Sequence, residues 1–161
     1  MSRTPLYIMF AEMGFKKGAE IGVYRGVNAW NMFRHIPDLE LIMVDPWRGG
    51  QRRWYRRVVR IFRRVGDRAR IIRKTSLDVA PLIGNGDLDF VYIDALHTYH
   101  DFMLDLLLWL PKVRVGGIIS GHDYHSRQRR NIGVRFAVDD YVRYHKIDLK
   151  LEGRNWYWII K

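Results

Sequence analysis

The 161-residue chain has no cysteine and no apolar run of the roughly 18 residues that a membrane helix requires. The lack of cysteine excludes a disulfide framework, a thiolate nucleophile and a cysteine-based zinc site. The amino terminus also lacks the pattern of a secretory signal. We therefore expect a soluble, cytoplasmic protein without a membrane span. With 48% hydrophobic residues, the chain is expected to form a single domain, residues 1–161, around one core of ordinary size.

The whole net charge of +11 comes from one segment. Between Arg48 and Lys74 there are twelve Lys or Arg residues and one acid, Asp67, whereas the rest of the chain has 16 basic and 16 acidic residues. Apolar residues from Trp54 to Val65 recur at helical spacing, which predicts an amphipathic helix over residues 51–65. Two interpretations of Arg52–Arg64 are open. The arginines either form a solvated helix face or bind an anionic partner such as nucleic acid, an acidic substrate or an acidic membrane.

The most informative motif is Glu20-Ile21-Gly22-Val23-Tyr24-Arg25-Gly26. A short buried strand, predicted over residues 19–23, runs into two glycines that allow a tight turn and close approach of the backbone to a ligand. A helix follows over residues 27–36, and a second strand over 39–45 ends at Asp45. This layout is typical of a nucleoside-binding βαβ unit, in which the terminal carboxylate binds ribose hydroxyls. Because the Gly-x-Gly-x-x-Gly of pyrophosphate binders is missing, a ligand without phosphates, such as S-adenosylmethionine, is favoured.

The second half of the chain repeats this arrangement. A third apolar strand, predicted over residues 88–93, is followed by Asp94, and a strand over residues 116–121 is followed by His122 and Asp123. With Asp45, acidic or histidine side chains thus follow three predicted strands. The carboxyl ends of parallel strands face one crevice, so these groups are expected to converge there.

At this point the residues resemble the class I S-adenosylmethionine-dependent methyltransferases, from Gly18 to the tryptophan-rich carboxyl terminus. The most specific stretch of this resemblance runs from Asp89 to Tyr124 and includes Tyr92-Ile93-Asp94, His97-x-Tyr99 and Gly121-His122-Asp123-Tyr124. The alternation of strands and helices predicts an α/β fold with a parallel sheet. The resemblance implies a Rossmann-like, doubly wound, mostly parallel seven-stranded sheet with an antiparallel carboxyl-terminal hairpin.

A first helix is predicted over residues 4–15, with Thr4 as its N-cap and Pro5 at its first position. The remaining predicted elements are a strand at 70–73, a short helix at 77–83, helices at 100–110 and 133–145, and closing strands at 147–152 and 155–160. Only about seventeen residues precede the first strand, so we expect no amino-terminal domain that covers the substrate. Loops, or a second subunit of a homo-oligomer, would then hold the substrate.

The resemblance also implies a set of cofactor-binding residues. Glu20 would contact the methionine ammonium or orient the loop, and Gly22 and Gly26 would allow close approach of the methionine part. Asp45 would bind the ribose hydroxyls from an open strand end. The remaining candidates are Asn28, which could instead be an N-cap, Ser76 near adenine, which could instead cap the next helix, and Asp94.

The catalytic candidates are Asp94, His97 and His122, because methyl transfer usually needs a base and histidine titrates near neutrality. Alternatively, Asp94 and Asp123 hold Mg²⁺, as metals are held in some relatives, and lower the pKa of a substrate hydroxyl. Leu96 and His100 stand where relatives often have acids, which leaves only two carboxylates for such a metal.

Two reactions are set aside. Carbon-5 methylation of pyrimidines needs a cysteine, which is absent, and Asp94-Ala95-Leu96-His97 does not match the loop of adenine amino-methyltransferases. O-methylation or N-methylation of another amine remains, and the resemblance favours a small hydroxylated or acidic acceptor. The alternatives are a nucleic-acid-binding methyltransferase, or a non-catalytic nucleoside-binding module that uses the Arg48–Lys74 surface.

Overall fold

The computed structural model describes residues 5–125 and 132–161. Within these residues, seven strands form one sheet in the order β3-β2-β1-β4-β5-β7-β6. The strands are β1 (Lys17–Ile21), β2 (Glu40–Val44), β3 (Ala69–Ile72), β4 (Leu88–Ile93), β5 (Val113–Gly121), β6 (Lys150–Glu152) and β7 (Asn155–Ile159). The first five are parallel, whereas β7 is antiparallel to both β5 and β6. The predicted α/β fold and its antiparallel hairpin are confirmed.

Six α-helices connect the described strands. They are α1 (Leu6–Glu12), α2 (Val27–His35), α3 (Arg52–Phe62), α4 (Ser76–Val79), α5 (Tyr99–Trp109) and α6 (Ile132–His145). Local chemistry explains several helix ends. Thr75 and Asp78 form a reciprocal capping box at the start of α4, and the Thr98 hydroxyl accepts a hydrogen bond from the Asp101 amide at the start of α5. Pro111 follows α5 in a short 3₁₀ turn.

Several predicted boundaries are wrong. The first helix is shorter than expected, with Pro5 at its N-cap, and Thr4 lies outside the described residues. Strand β5 begins at Val113, three residues before the predicted start, and Gly116 lies inside it with a φ of 76°. The pairing with β4 shifts there between Leu88 and Phe90. A glycine accommodates this irregularity because it tolerates positive φ without steric cost.

The face by which α2 packs also differs from its sequence pattern. Val27 and Trp30 are apolar residues at helical spacing, which favours a shared buried face, but they are 66% and 37% exposed. The buried residues are instead Ala29 and Met32, with Ile36 just after the helix. The packed face of α2 therefore carries a small and a flexible side chain rather than the large indole of Trp30.

The sheet separates two apolar clusters. One is formed with α4, α5 and α6 and contains Phe102, Trp109 and Trp156. The other is formed with α1, α2 and α3 and contains Phe10 and Phe62. Because both faces of the sheet are covered, its polar groups are concentrated at the ends of the strands. No helix among the described residues is both long enough and apolar enough to span a bilayer.

Candidate active site

The carboxyl ends of the parallel strands open into a cavity of about 1290 Å³. Loops that follow β1, β2, β3, β4 and β5 all contribute to its wall. The cavity lies where the strand order reverses, between β1 and β4, which is where open α/β sheets bind their ligands. Its volume exceeds that of a typical single-ligand pocket, so it has room for a cofactor and a second substrate.

The loop after β1 depends on two glycines with left-handed backbones. Gly22 has a φ of 91°, and a Cβ there would lie 2.1 Å from the carbonyl oxygen of Asp94. Gly26 has a φ of 74°, and its Cβ would lie 2.9 Å from the ring of Phe62. Gly26 is also absent from the residues that line the cavity. Both glycines thus make room for neighbouring protein, and the cofactor role predicted for Gly26 has no counterpart in the geometry of the cavity.

Glu20 lines the cavity from near the end of β1. Its side chain is buried, with Oε1 accepting a hydrogen bond from the amide of Asn28 at 3.0 Å. Its Oε2 has no partner among the described residues. Burial raises the pKa of Glu20 to about 8, against the lowering effect of the Asn28 hydrogen bond. The N-cap role considered for Asn28 is wrong, because Gly26 occupies the N-cap of α2.

Asp45 joins the loop after β2 to the loop after β1. Its Oδ2 accepts a hydrogen bond from the Tyr24 amide at 2.8 Å, and its Oδ1 accepts one from the Trp47 amide at 2.7 Å. The Trp47 indole in turn donates to the Tyr24 carbonyl at 2.8 Å. The open strand end predicted for Asp45 is therefore wrong, since the residue is 6% exposed. Each carboxylate oxygen can still accept another hydrogen bond from a ligand in the cavity.

Ser76 lines the cavity beside an acid that the sequence did not single out. Its hydroxyl donates a hydrogen bond to Oδ1 of Asp105, which projects from α5. Burial raises the pKa of Asp105 to about 6, although the Ser76 hydrogen bond lowers it. The capping role considered for Ser76 belongs instead to Thr75.

His97, which lines the cavity, and Asp123 bring the loops after β4 and β5 together. The Nε2 of His97 lies 3.0 Å from Oδ2 of Asp123 and 3.4 Å from Oδ1 of Asp94. The Nδ1 of His122 lies 3.1 Å from Oδ1 of Asp123, and Arg154 donates to the same oxygen. Asp123 has a φ of 63°, an unfavourable backbone for an aspartate that these partners hold in place.

The charges in this cluster are strongly coupled. Hydrogen bonds that His97 donates to Asp123 and Asp94 raise the pKa of His97 to about 9, against the effect of its partial burial. Burial alone would raise the pKa of Asp123, but the hydrogen bonds from His122 and His97 outweigh it and hold that pKa well below its ordinary value. At neutral pH, the two neighbouring carboxylates favour the cationic form of His97, which disfavours it as a proton acceptor. The prediction of His97 as a general base is thus not supported by this geometry.

Comparison with known proteins then settles the family. A family model described as a methyltransferase domain matches residues 19–124, which is more than half of the chain. The chain belongs to this methyltransferase family. Among curated proteins, the methyltransferase resembles the uncharacterised protein y4gI of Sinorhizobium fredii, with 27% identity over 95 residues. That match covers 55% of the present chain but only 10% of the relative's length.

Solved structures share the fold of the methyltransferase. An O-methyltransferase from Bacillus cereus in complex with SAH matches with a TM-score of 0.74 and 15% identity, over 96% of this chain and 78% of that one. The O-methyltransferase TomG from Streptomyces achromogenes, involved in tomaymycin synthesis and solved with SAM, matches with a TM-score of 0.71 and 15% identity. That match covers 97% of this chain and 78% of TomG. At such identities the likeness concerns the fold.

The Mg²⁺ site predicted at Asp94 and Asp123 stays a prediction, and the structure adds to its two carboxylates a donor that suits that ion poorly. The ligand atoms of Asp94, His97 and Asp123 lie within 4.8 Å of one another, so a third donor joins the two predicted ones. That donor is a nitrogen, whereas Mg²⁺ prefers oxygen ligands. His97 would also have to lose its proton, and Asp123 already accepts hydrogen bonds from His122 and Arg154.

Three residues that complete the site were missed at the sequence level: Trp47, Asp105 and Arg154. For Asp105 there was a signal, since it is an acid within the leucine-rich run of α5. For Trp47 and Arg154 there was none, because their roles depend on contacts with Tyr24 and Asp123, which are distant in sequence.

Proposed function

We propose that this methyltransferase transfers a methyl group from S-adenosylmethionine to a hydroxyl group of a small acceptor. The observation that supports this most is one continuous cavity whose lining includes Glu20, Asp45 and His122. The carboxylates suit the two polar ends of the cofactor, and the histidine suits proton removal from an acceptor. The SAH and SAM complexes of the two related structures are consistent with this assignment.

The residues of the cavity fit S-adenosylmethionine. The unpartnered Oε2 of Glu20 suits the methionine ammonium, because a buried carboxylate gains most from a charge-assisted hydrogen bond. Asp45 suits the ribose hydroxyls, since both of its oxygens retain acceptor capacity. Ser76, at the start of α4, and Asp105, in α5, are hydrogen-bonded to each other in the lining of the cavity and suit the amino group of adenine. Asp105 therefore joins the predicted cofactor residues.

His122 is the base in this proposal. With its Nδ1–H donating to Asp123, the ring presents Nε2 as a proton acceptor, the arrangement by which a buried aspartate orients a catalytic histidine. When bound, S-adenosylmethionine supplies a methyl group that an acceptor oxygen attacks, the electron pair of the broken C–S bond remaining on sulfur. The hydroxyl proton passes to Nε2 of His122.

The His97 cation has a positioning role in this scheme. It bridges Asp94 and Asp123 and thereby keeps the Asp123 carboxylate ionised and directed at His122. The charge of Asp94 is in turn placed close to the β1 loop, because its backbone amide donates to Ile21 at 2.7 Å. Leu77, Leu96 and Leu104 line the same cavity with exposed side chains, which suits an acceptor with an apolar body.

The test is calorimetry with S-adenosylmethionine, followed by a screen of hydroxylated small molecules with a labelled methyl donor. Micromolar binding and methylated product support the proposal. Binding without transfer to any hydroxyl or amine acceptor would support a non-catalytic nucleoside-binding module. Absence of binding would contradict both.

Binding of S-adenosylmethionine is expected to release protons at pH 7. With its pKa raised to about 8, Glu20 is mostly protonated in the free protein at pH 7, and pairing with an ammonium ionises it. Up to one proton per cofactor should then be released, and affinity should increase from pH 6 to pH 8. Calorimetry in buffers of different ionisation enthalpy measures the release. Glu20→Gln should abolish it, whereas Glu40→Gln, at an exposed position, should not; an unchanged release in Glu20→Gln would refute the assignment.

Methyl transfer is expected to proceed without a divalent metal. Since the His97 N–H lies between Asp94 and Asp123, chelation with EDTA should change the rate by less than about twofold, and added Mg²⁺ should not increase it. The measurement is the rate with the acceptor found in the screen, before and after dialysis against EDTA. A loss of more than tenfold that Mg²⁺ or Mn²⁺ restores would establish a metal enzyme instead.

A further inference from the structure

The exposed basic residues between positions 48 and 74 form a surface that the proposed methyl transfer does not use. We call this surface the arginine face, and all twelve of its basic side chains are exposed. Eleven are arginines, and Lys74 is the one lysine. At 100° per residue, the arginines of α3 fall within an arc of about 140°, along a helix about 16 Å long. The opposite side of α3 carries Val58 and Phe62, which are buried in the core.

The charge of the arginine face is not compensated within the protein. No arginine between Arg48 and Arg73 has a carboxylate within 4.0 Å in the described ranges. Arginines elsewhere do form such pairs, for example Arg114 with Asp89 and Arg135 with Asp139. Like charges crowded on one face destabilise the folded protein unless anions bind there.

Aromatic rings organise the centre of the arginine face. The guanidinium groups of Arg25, Arg53 and Arg57 lie 4.3, 4.8 and 5.8 Å from the ring centroid of Trp54. Arg73 lies 5.3 Å from the centroid of Tyr55. Stacking on a ring leaves the N–H groups of a guanidinium free for phosphate, and it restricts the side chain before any ligand binds.

The size and polarity of the arginine face exclude two kinds of ligand. Arg25 and Arg48 line the cavity, but the arginines of α3 do not, so a small acidic acceptor in the cavity would leave most of the face without a partner. A membrane-surface helix needs apolar side chains that insert between lipids. None of the large exposed hydrophobic residues lies between positions 48 and 74.

We propose that the arginine face binds the phosphodiester backbone of a nucleic acid. Guanidinium groups match phosphate oxygens with paired hydrogen bonds, and a face made almost wholly of arginine is suited to that geometry. Half-buried Trp54 and Tyr55 add rings near which unpaired bases can stack, which favours a single strand over a duplex. This binding does not depend on methyl transfer.

The test measures fluorescence anisotropy of labelled 20-nucleotide RNA, single-stranded DNA and duplex DNA between 50 and 200 mM salt. With about five phosphate contacts, log K should fall against log salt with a slope of about −3.5 for single strands, a loss of about 100-fold over this range. In the combined Arg53→Gln, Arg57→Gln and Arg64→Gln variant the slope should be about −1.4 and the loss about sevenfold. Cofactor affinity should not change.

A matched control removes the same charge at the opposite edge of the sheet. Arg143, Lys150 and Lys161 are exposed and belong to α6, β6 and the end of the chain, so their combined change to Gln should leave the slope near −3.5. Circular dichroism and thermal melting of both variants confirm folding. No binding of any of the three nucleic acids at 50 mM salt would overturn the proposal. So would equal weakening in both variants, or equally tight binding of polyglutamate, which would indicate an acidic protein partner.

Discussion

Replacing His122 with alanine is expected to lower turnover by about 10²–10⁴-fold while leaving the affinity for S-adenosylmethionine unchanged. The reason is that the base acts on the acceptor, whereas the groups suited to the cofactor, Glu20 and Asp45, lie elsewhere in the cavity. The measurement is single-turnover methyl transfer under saturating cofactor, with calorimetry of cofactor binding on the same protein. His35→Ala is a suitable control, because His35 is exposed at the end of α2.

The two histidines of the cluster are expected to behave differently. His97→Gln keeps a hydrogen-bond donor near Asp123 but removes the charge, so it should lower turnover less than His122→Ala does. In the wild-type enzyme, the contribution of the His97 charge to turnover should be lost as the pH rises through about 9, where His97 loses its proton. A near-normal rate in His122→Ala, together with a large loss in His97→Gln, would reverse the assignment of the base.

Replacing Asp45 with alanine is expected to weaken binding of S-adenosylmethionine by about 2–4 kcal/mol, or about 30- to 900-fold in the dissociation constant. Two charge-assisted hydrogen bonds to the ribose would be lost, and water would recover part of their energy. The structure adds a second effect. The Tyr24 and Trp47 amides would lose their acceptor, so the free energy of unfolding should fall by about 1–3 kcal/mol.

Calorimetry at a temperature well below the melting transition separates the two effects on Asp45→Ala. Asp148→Ala serves as the control, because Asp148 pairs with Lys150 in an exposed position away from the cavity. Normal circular dichroism with unchanged cofactor affinity in Asp45→Ala would show that the carboxylate only joins the two loops.

The sequence motifs could not reveal which neighbours the loop glycines contact or which face of α2 is buried. Gly22 and Gly26 were selected because glycine permits close approach to a ligand, and the structure shows close approach to Asp94 and Phe62, with only Gly22 also lining the cavity. The same residue type satisfies both requirements, and only the position of the neighbouring chain distinguishes them. Likewise the apolar residues of α2 predicted a helix, but its buried face could not be chosen between Trp30 and Met32.

The parallel pairing of the first strands, and the edge at which Asp45, Asp94, His122 and Asp123 lie, were determined by the sequence alone. Runs of apolar residues alternating with helical periodicity lead to a parallel sheet, and parallel strands place their carboxyl ends at one edge. Those relations are local or topological, so they can be derived without coordinates. Only the tertiary structure decided which of these groups carries a proton and which residues join them. Burial and through-space neighbours set the pKa of His97 and bring Asp105 to the wall beside Ser76, and both depend on distances between segments far apart in the chain.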